Sequence, residues 1–206
     1  MGSEAASVET SVTDEASGLA EADLPPAVRA VLAGYRAEIE RLNRRLAEVE
    51  LLADRDALTP ALNRRAFVRE LQRSIAFCER YDAVASLVFF DLDGFKAVND
   101  TFGHAAGDAA LLWVADTLAD HVRESDVVGR LGGDEFAVIL AQAGREAAET
   151  KAASLAAAIQ AQPVIFEGQT IPIRTSYGVR EFQRGLEAAA MLAEADAAMF
   201  LRKGRR

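Results

Sequence analysis

Arg130-Leu131-Gly132-Gly133-Asp134-Glu135-Phe136 is the stretch on which the reading of the fold depends. Asp126 to Leu131 and Phe136 to Leu140 are short runs rich in β-branched and large apolar residues. The glycine pair between them predicts a β-hairpin. Glycine in a tight turn ordinarily serves conformation alone. Two acids directly after the glycines add something that a plain hairpin does not need. Side by side at one turn, Asp134 and Glu135 repel each other unless a cation sits between them.

A second pair of acids lies upstream. Ala85 to Asp91 (ASLVFFD) is apolar up to its last residue and reads as a central strand. Asp91-Leu92-Asp93 then delivers carboxylates to the edge of the sheet. Asp91 is the candidate ligand, and Asp93 reads as a cap of the following helix or as a supporting group. Gly94 lets the backbone approach something bulky. The free amides of the next helix, with Lys96 beside them, suit phosphate oxygens. If the hairpin flanks the Asp91 strand, the carboxylates meet at one edge and form a site for Mg²⁺ or Mn²⁺. Two such ions about 4 Å apart would clamp a phosphoryl or nucleotidyl transfer. No Gly-x-x-x-x-Gly-Lys-Ser/Thr run occurs, which excludes a P-loop.

Around these runs the remaining chain falls into elements. Asn63 to Tyr81 predicts a helix with Phe67, Leu71, Ile75 and Cys78 on one side. Phe95 to Phe102, Asp108 to Val122, Arg145 to Gln160 and Leu186 to Lys203 predict further helices. Val164 to Phe166 and Ile171 to Phe182 predict a strand pair around Glu167-Gly168. The order predicts an α/β fold of the α+β sandwich kind, with one antiparallel or mixed sheet covered by helices. Before it, Val28, Leu32, Tyr35, Ile39, Leu42, Leu46 and Val49 recur in steps of four and three. A stripe this narrow predicts a coiled-coil seam, against the alternative of a helix packed on its own domain. The expected organisation is a flexible acidic tail over 1–24, a coiled-coil helix over 25–52 and a catalytic domain over 53–206.

Charge and composition narrow the function classes. The chain has 206 residues and a formal charge of −9. Residues 1–25 hold six acids and no Lys or Arg, so they supply −6 and the remainder only −3. Such a chain is poorly suited to binding a nucleic-acid polymer by charge. No apolar run approaches the length of a membrane span, and the N-terminus lacks the features of a signal peptide. With the lone Cys78, these features predict a cytoplasmic protein.

The motifs together resemble the GGDEF-type diguanylate cyclases. The matching runs are Asp56-Ala57-Leu58-Thr59, Asn63-Arg64-Arg65, Asp91 through Asp100 (DLDGFKAVND), Gly103-His104, Gly107-Asp108 and Gly132 through Phe136. The resemblance implies a fold like the palm of nucleotidyl cyclases and polymerases. It also implies that two domains, each holding one GTP, face each other and form cyclic di-GMP and two pyrophosphates. Asp91 and Asp134 would hold two Mg²⁺ or Mn²⁺ ions per half-site, joined by Glu135 and the carbonyl of Leu92. Asp134 stands at the catalytic position. Phe95, Lys96, Asn99, His104, Asp108 and Lys203 would line the substrate, with Asp108 and Asn99 reading guanine and the two lysines meeting phosphates. A carboxylate can accept both N1–H and N2–H of guanine, a pair that adenine lacks. Arg123-Glu124-Ser125-Asp126 is similar to the family's inhibitory product site, so Arg123 and Asp126 would bind cyclic di-GMP. In the family two residues separate the terminal Lys from Gly-Arg-Asn, whereas here Gly204-Arg205-Arg206 follows Lys203 directly. The second phosphate-binding cation is then Arg205 or Arg206, or it is missing.

The expected partners are GTP, cyclic di-GMP, a second copy joined through the coiled coil, and an upstream regulatory protein that the sequence does not name. The alternative reading is a non-catalytic receptor of cyclic di-GMP or GTP, or an interaction module.

Overall fold

The structure, a computed structural model, describes residues 24–203. The chain divides into two units, one ending at Leu52 and one running from Ala53. The acidic tail up to Asp23, the terminal Arg205 and Arg206, and the side chains of Leu46 and Val49 lie outside what is described.

In the first unit, helix α1 (Pro26–Asp54) starts at the proline pair and continues past the predicted end of the seam. Proline is tolerated in a first turn, where its missing N–H would have had no partner. The seam residues Val28, Tyr35, Ile39 and Leu42 are each more than two-fifths exposed. Glu38 and Arg41 form an ion pair one turn apart on the same helix.

The second unit is built on a four-stranded, wholly antiparallel sheet of order β2-β3-β1-β6. Its strands are β1 (Ala85–Leu92), β2 (Val127–Arg130), β3 (Glu135–Ala141) and β6 (Thr175–Glu181). Strands β4 (Val164–Phe166) and β5 (Gln169–Ile171) form a separate hairpin. The single run predicted over 171–182 is thus two strands, parted at Pro172, whose ring removes a ladder donor. The helices are α2 (Arg64–Tyr81), α3 (Phe95–Phe102), α4 (His104–Asp120), α5 (Arg145–Ala161) and α6 (Ala188–Lys203).

Strand alternation sorts the core into two layers. Val88, Phe90, Phe136 and Val138 face α4 and α5 and pack with Leu111, Val114, Leu118, Leu155 and Ile159. Leu87, Phe89, Ala137 and Ile139 face α2 and α6 and pack with Phe67, Leu71, Met191, Ala195 and Met199. Burying each large apolar side chain contributes roughly 1.5–3 kcal/mol, so the strands whose residues fill both layers, β1 and β3, take the centre.

Helix α2 begins where Asn63 Oδ1 accepts from the Ala66 amide at 3.0 Å. It ends at Asp82, whose φ is 51°. Helix α4 starts at His104, four residues before the predicted start. Asp108 therefore lies inside the helix and not at its start. The cap position is Gly103 at φ 85°, a conformation open to glycine.

One contact joins α6 to the sheet with no room to spare. A Cβ on Gly178 of β6 would overlap the Ala195 carbonyl oxygen and the Met199 amide nitrogen of α6. The glycine lets helix backbone lie directly on strand backbone.

Candidate active site

The carboxylates converge at the end of the two central strands. Asp91 and Glu135 are register partners across β1 and β3, so their side chains leave the same face of the sheet. Asp134 occupies the adjoining turn, and its carbonyl accepts from the Leu92 amide at 3.2 Å. Burial, and then the negative charge of Asp91, raise the Asp134 carboxyl above the ordinary range. Glu135 is raised by burial and by the charge of Asp134. Carboxylates crowded in this way gain from a cation.

Lys203 supplies one. Its ammonium pairs with Asp91 Oδ1 and lies 3.2 Å from Asp93 Oδ1. Burial lowers its pKa, but the two aspartates outweigh that effect and the net shift is upward. The last residue of α6 is thereby tied to the end of β1. Asp93 is not the helix cap the sequence allowed: the cap position of α3 is Gly94 at φ 71°. The Asp93 carboxylate instead accepts from Ser176 Oγ at 2.9 Å, and the Asp93 amide donates to the Arg174 carbonyl. Asp93 is a bridge between β1 and β6.

Among the described residues, no three His, Cys, Asp or Glu side chains are grouped closely enough to cage a metal alone. The donor set fits a hard cation of another kind. Mg²⁺ usually takes one or two carboxylates from the protein and completes its shell with water and substrate phosphates. Asp91 and Asp134 offer two such carboxylates, and the Lys203 ammonium marks where positive charge is favoured.

The other predicted residues lie on α3 and α4, which are separated by Gly103 alone. Lys96 is exposed in the first turn of α3, and His104 is exposed at the start of α4. Phe95 and Asn99 are half-buried over Gly107. A Cβ there would overlap Asn99 Oδ1 and come within 3.3 Å of the Phe95 ring. Asp108 follows Gly107 and is exposed.

Arg123 and Asp126 are set apart from this group. Asp126 Oδ2 accepts from the Arg123 amide and Oδ1 from the Ala141 amide, both at 3.0 Å. The aspartate thus fastens the start of β2 to the end of β3. Arg123 is exposed, and both residues line a cavity of about 620 Å³ with Gln142, Thr150, Lys151 and Ser154.

Two carboxylates thus face each other at one end of the sheet, with α3 and α4 following the β1 end. The family described as "Diguanylate cyclase, GGDEF domain" matches residues 53–206, and the chain belongs to that family. The chain is 35% identical over 167 residues to a probable diguanylate cyclase, DgcE, of Escherichia coli, spanning 81% of this chain and 15% of that protein. It is 35% identical over 174 residues to the diguanylate cyclase TpbB of Pseudomonas aeruginosa, spanning 84% and 39%. The chain thus spans well under half the length of these curated relatives.

Among solved structures it resembles the coiled coil and GGDEF domain of DgcB from Caulobacter crescentus in complex with c-di-GMP. There the TM-score is 0.75 and identity 30%, covering 87% of this chain and 95% of that one. It also resembles the diguanylate cyclase SiaD of Pseudomonas aeruginosa in complex with its activator SiaC (TM-score 0.70, 25% identity, 97% and 79% covered). Among the described residues no helix is long and apolar enough to cross a membrane.

Proposed function

We propose that this chain is a diguanylate cyclase, which condenses two GTP molecules into cyclic di-GMP and releases two pyrophosphates. The observation that carries the reading is the pairing of Asp91 with Glu135 across β1 and β3, with Asp134 in the turn beside them. Each domain binds one GTP, and two copies face each other. The 3′-hydroxyl of each nucleotide then attacks the α-phosphate of the other, and pyrophosphate leaves.

Mg²⁺ or Mn²⁺, two per half-site, would be held by Asp91, Asp134, Glu135 and the Leu92 carbonyl. Such ions polarise phosphoryl oxygens and offset charge as it develops. The side chains do the rest. Lys203, which pairs here with Asp91 and Asp93, would contact phosphate oxygens of the substrate. Lys96 and the first amides of α3 hold further phosphate oxygens. Asp108 accepts from guanine N1–H and N2–H, with Asn99 beside it over Gly107, while Phe95 and His104 border the nucleotide. A GTP-consuming enzyme of this kind works in the cytoplasm.

Residues 53–206 form the catalytic domain, and the helix of residues 25–52 joins two copies through its exposed apolar stripe. That stripe predicts concentration dependence, because two half-sites must meet. Ile39→Asp is expected to lower specific activity in dilute solution, with recovery as protein concentration rises. Specific activity unchanged at every concentration would contradict the dimer.

Product inhibition acts through Arg123, whose guanidinium can take the O6/N7 edge of guanine. Arg123→Ala is expected to keep the initial rate and abolish the late slowing in progress curves. The proposed activity is tested by incubating the chain with GTP and Mg²⁺ and identifying the product by mass.

A further inference from the structure

The turn that carries Asp134 is held by a side chain outside the carboxylate group. Arg130 Nε donates to the carbonyl oxygens of Gly132 at 3.1 Å and Gly133 at 3.2 Å, and Nη2 donates to Gly133 at 2.8 Å. The third nitrogen, Nη1, donates to Asp56 Oδ1 at 2.9 Å. The two side chains are 14% and 19% exposed. The same aspartate oxygen accepts from the Thr59 amide at 2.9 Å and the Thr59 hydroxyl at 2.8 Å. Thr59 is itself buried. Burial raises the Asp56 carboxyl, but the Arg130 and Thr59 hydrogen bonds outweigh it and hold it below the usual range. The pair therefore remains charged.

Two consecutive glycines form the least constrained backbone a turn can have. Here both carbonyls are fastened to one planar guanidinium, whose donors stand in a fixed fork. Asp134 follows directly. Its own carbonyl is held by the Leu92 amide, and that of Glu135 by the Leu131 amide at 2.8 Å. The backbone on both sides of Asp134 is thus pinned, on one side by the Leu92 and Leu131 amides and on the other by Arg130.

We propose that Asp56 and Arg130 are positioning residues, a clamp that fixes the Gly132–Gly133 turn and thereby sets the Asp134 carboxylate beside Asp91. The proposal rests on the cyclase reading and adds two residues that touch neither substrate nor cation. A carboxylate held in place before its cation arrives pays no ordering entropy on binding, and a misplacement of about 1 Å can cost about 100-fold in rate.

Two variants of the full chain separate positioning from charge and from folding. Arg130→Lys keeps the cation but cannot serve Asp56 and two carbonyls together. Asp56→Asn keeps an acceptor for Thr59 but removes the charge that orients the arginine. Initial rates with GTP and Mg²⁺ are measured, and Mn²⁺ affinity is measured separately without GTP by electron paramagnetic resonance. The clamp predicts that folded protein of both variants loses kcat by about 10- to 100-fold, with KM for GTP little changed and Mn²⁺ bound more weakly. Wild-type kcat and wild-type Mn²⁺ affinity in the folded fraction of either variant would overturn it. A wild type that makes no product yet binds Mn²⁺ more tightly than both variants would sink the cyclase reading and keep the clamp. One that neither turns over nor binds Mn²⁺ would sink both.

Discussion

Asp134→Asn is expected to abolish formation of cyclic di-GMP, with a loss of about 1,000-fold or more, and at the same time to raise the melting temperature in metal-free buffer. The first effect follows from removing a hard anionic donor where transition-state charge is offset, a class of change that costs on the order of 100- to 1,000-fold even for a single neutral donor. The second follows from the direction of the pKa shift. Burial and the charge of Asp91 raise the folded-state pKa of Asp134. A carboxyl raised on folding is penalised once ionised, so the penalty is absent below both pKa values and fully present above the folded one. At neutral pH the isosteric amide escapes it. Added Mg²⁺ should stabilise wild type and leave the variant almost unmoved. Stability given up in order to hold charge at a working site is the expected trade. Thermal denaturation with and without Mg²⁺, run beside the turnover assay, reads both effects.

Gly178→Val is expected to have the largest effect on stability. A Cβ there meets the backbone of α6 at Ala195 and Met199, and helix backbone cannot swing aside as a side chain can. Overpacking of this kind costs about 3 kcal/mol, which for a domain of this size lowers the melting temperature by roughly 10 °C. The damage also reaches the site, because α6 ends in Lys203, the partner of Asp91 and Asp93. Folded variant should therefore also lose affinity for GTP. Differential scanning calorimetry measures the first effect and KM the second. An unshifted melting temperature would mean that α6 does not rest on β6 as described.

These two residues mark where sequence reading succeeds and where it stops. Asp134 is legible because two acids beside a glycine pair have no purely conformational reason to be there, and because an apolar strand ending in Asp91 is a second sign of the same kind. The hairpin, the central strand and the helix capped by Asn63 are legible by the same local chemistry. Gly178 is not legible, since a glycine inside a strand says only that something comes close, and what comes close is a helix packed there by tertiary contacts.

The clamp was hidden for a related reason. Asp56 and Arg130 are each visible within a motif, but a separation of 74 positions along the chain gives no sign that they touch. At two further points tertiary contacts decide what local signals leave open or misplace. The helix expected from Asp108 begins a turn earlier, where Gly103 with its positive φ starts it. Asp93 stands where a cap belongs, yet Ser176 and Lys203 draw its carboxylate toward the sheet and the last turn of α6.

The central claim is that the facing carboxylates at the end of β1 and β3 perform nucleotidyl transfer between two GTP molecules. The most direct measurement is a paired incubation of wild type and Asp134→Asn, at matched high concentration, with GTP and Mg²⁺ and with the products resolved by chromatography and mass. The account predicts cyclic di-GMP and pyrophosphate from wild type in a ratio of one to two, and GTP left intact by the variant. Wild type and variant that bind GTP equally and leave it equally unconverted would contradict it.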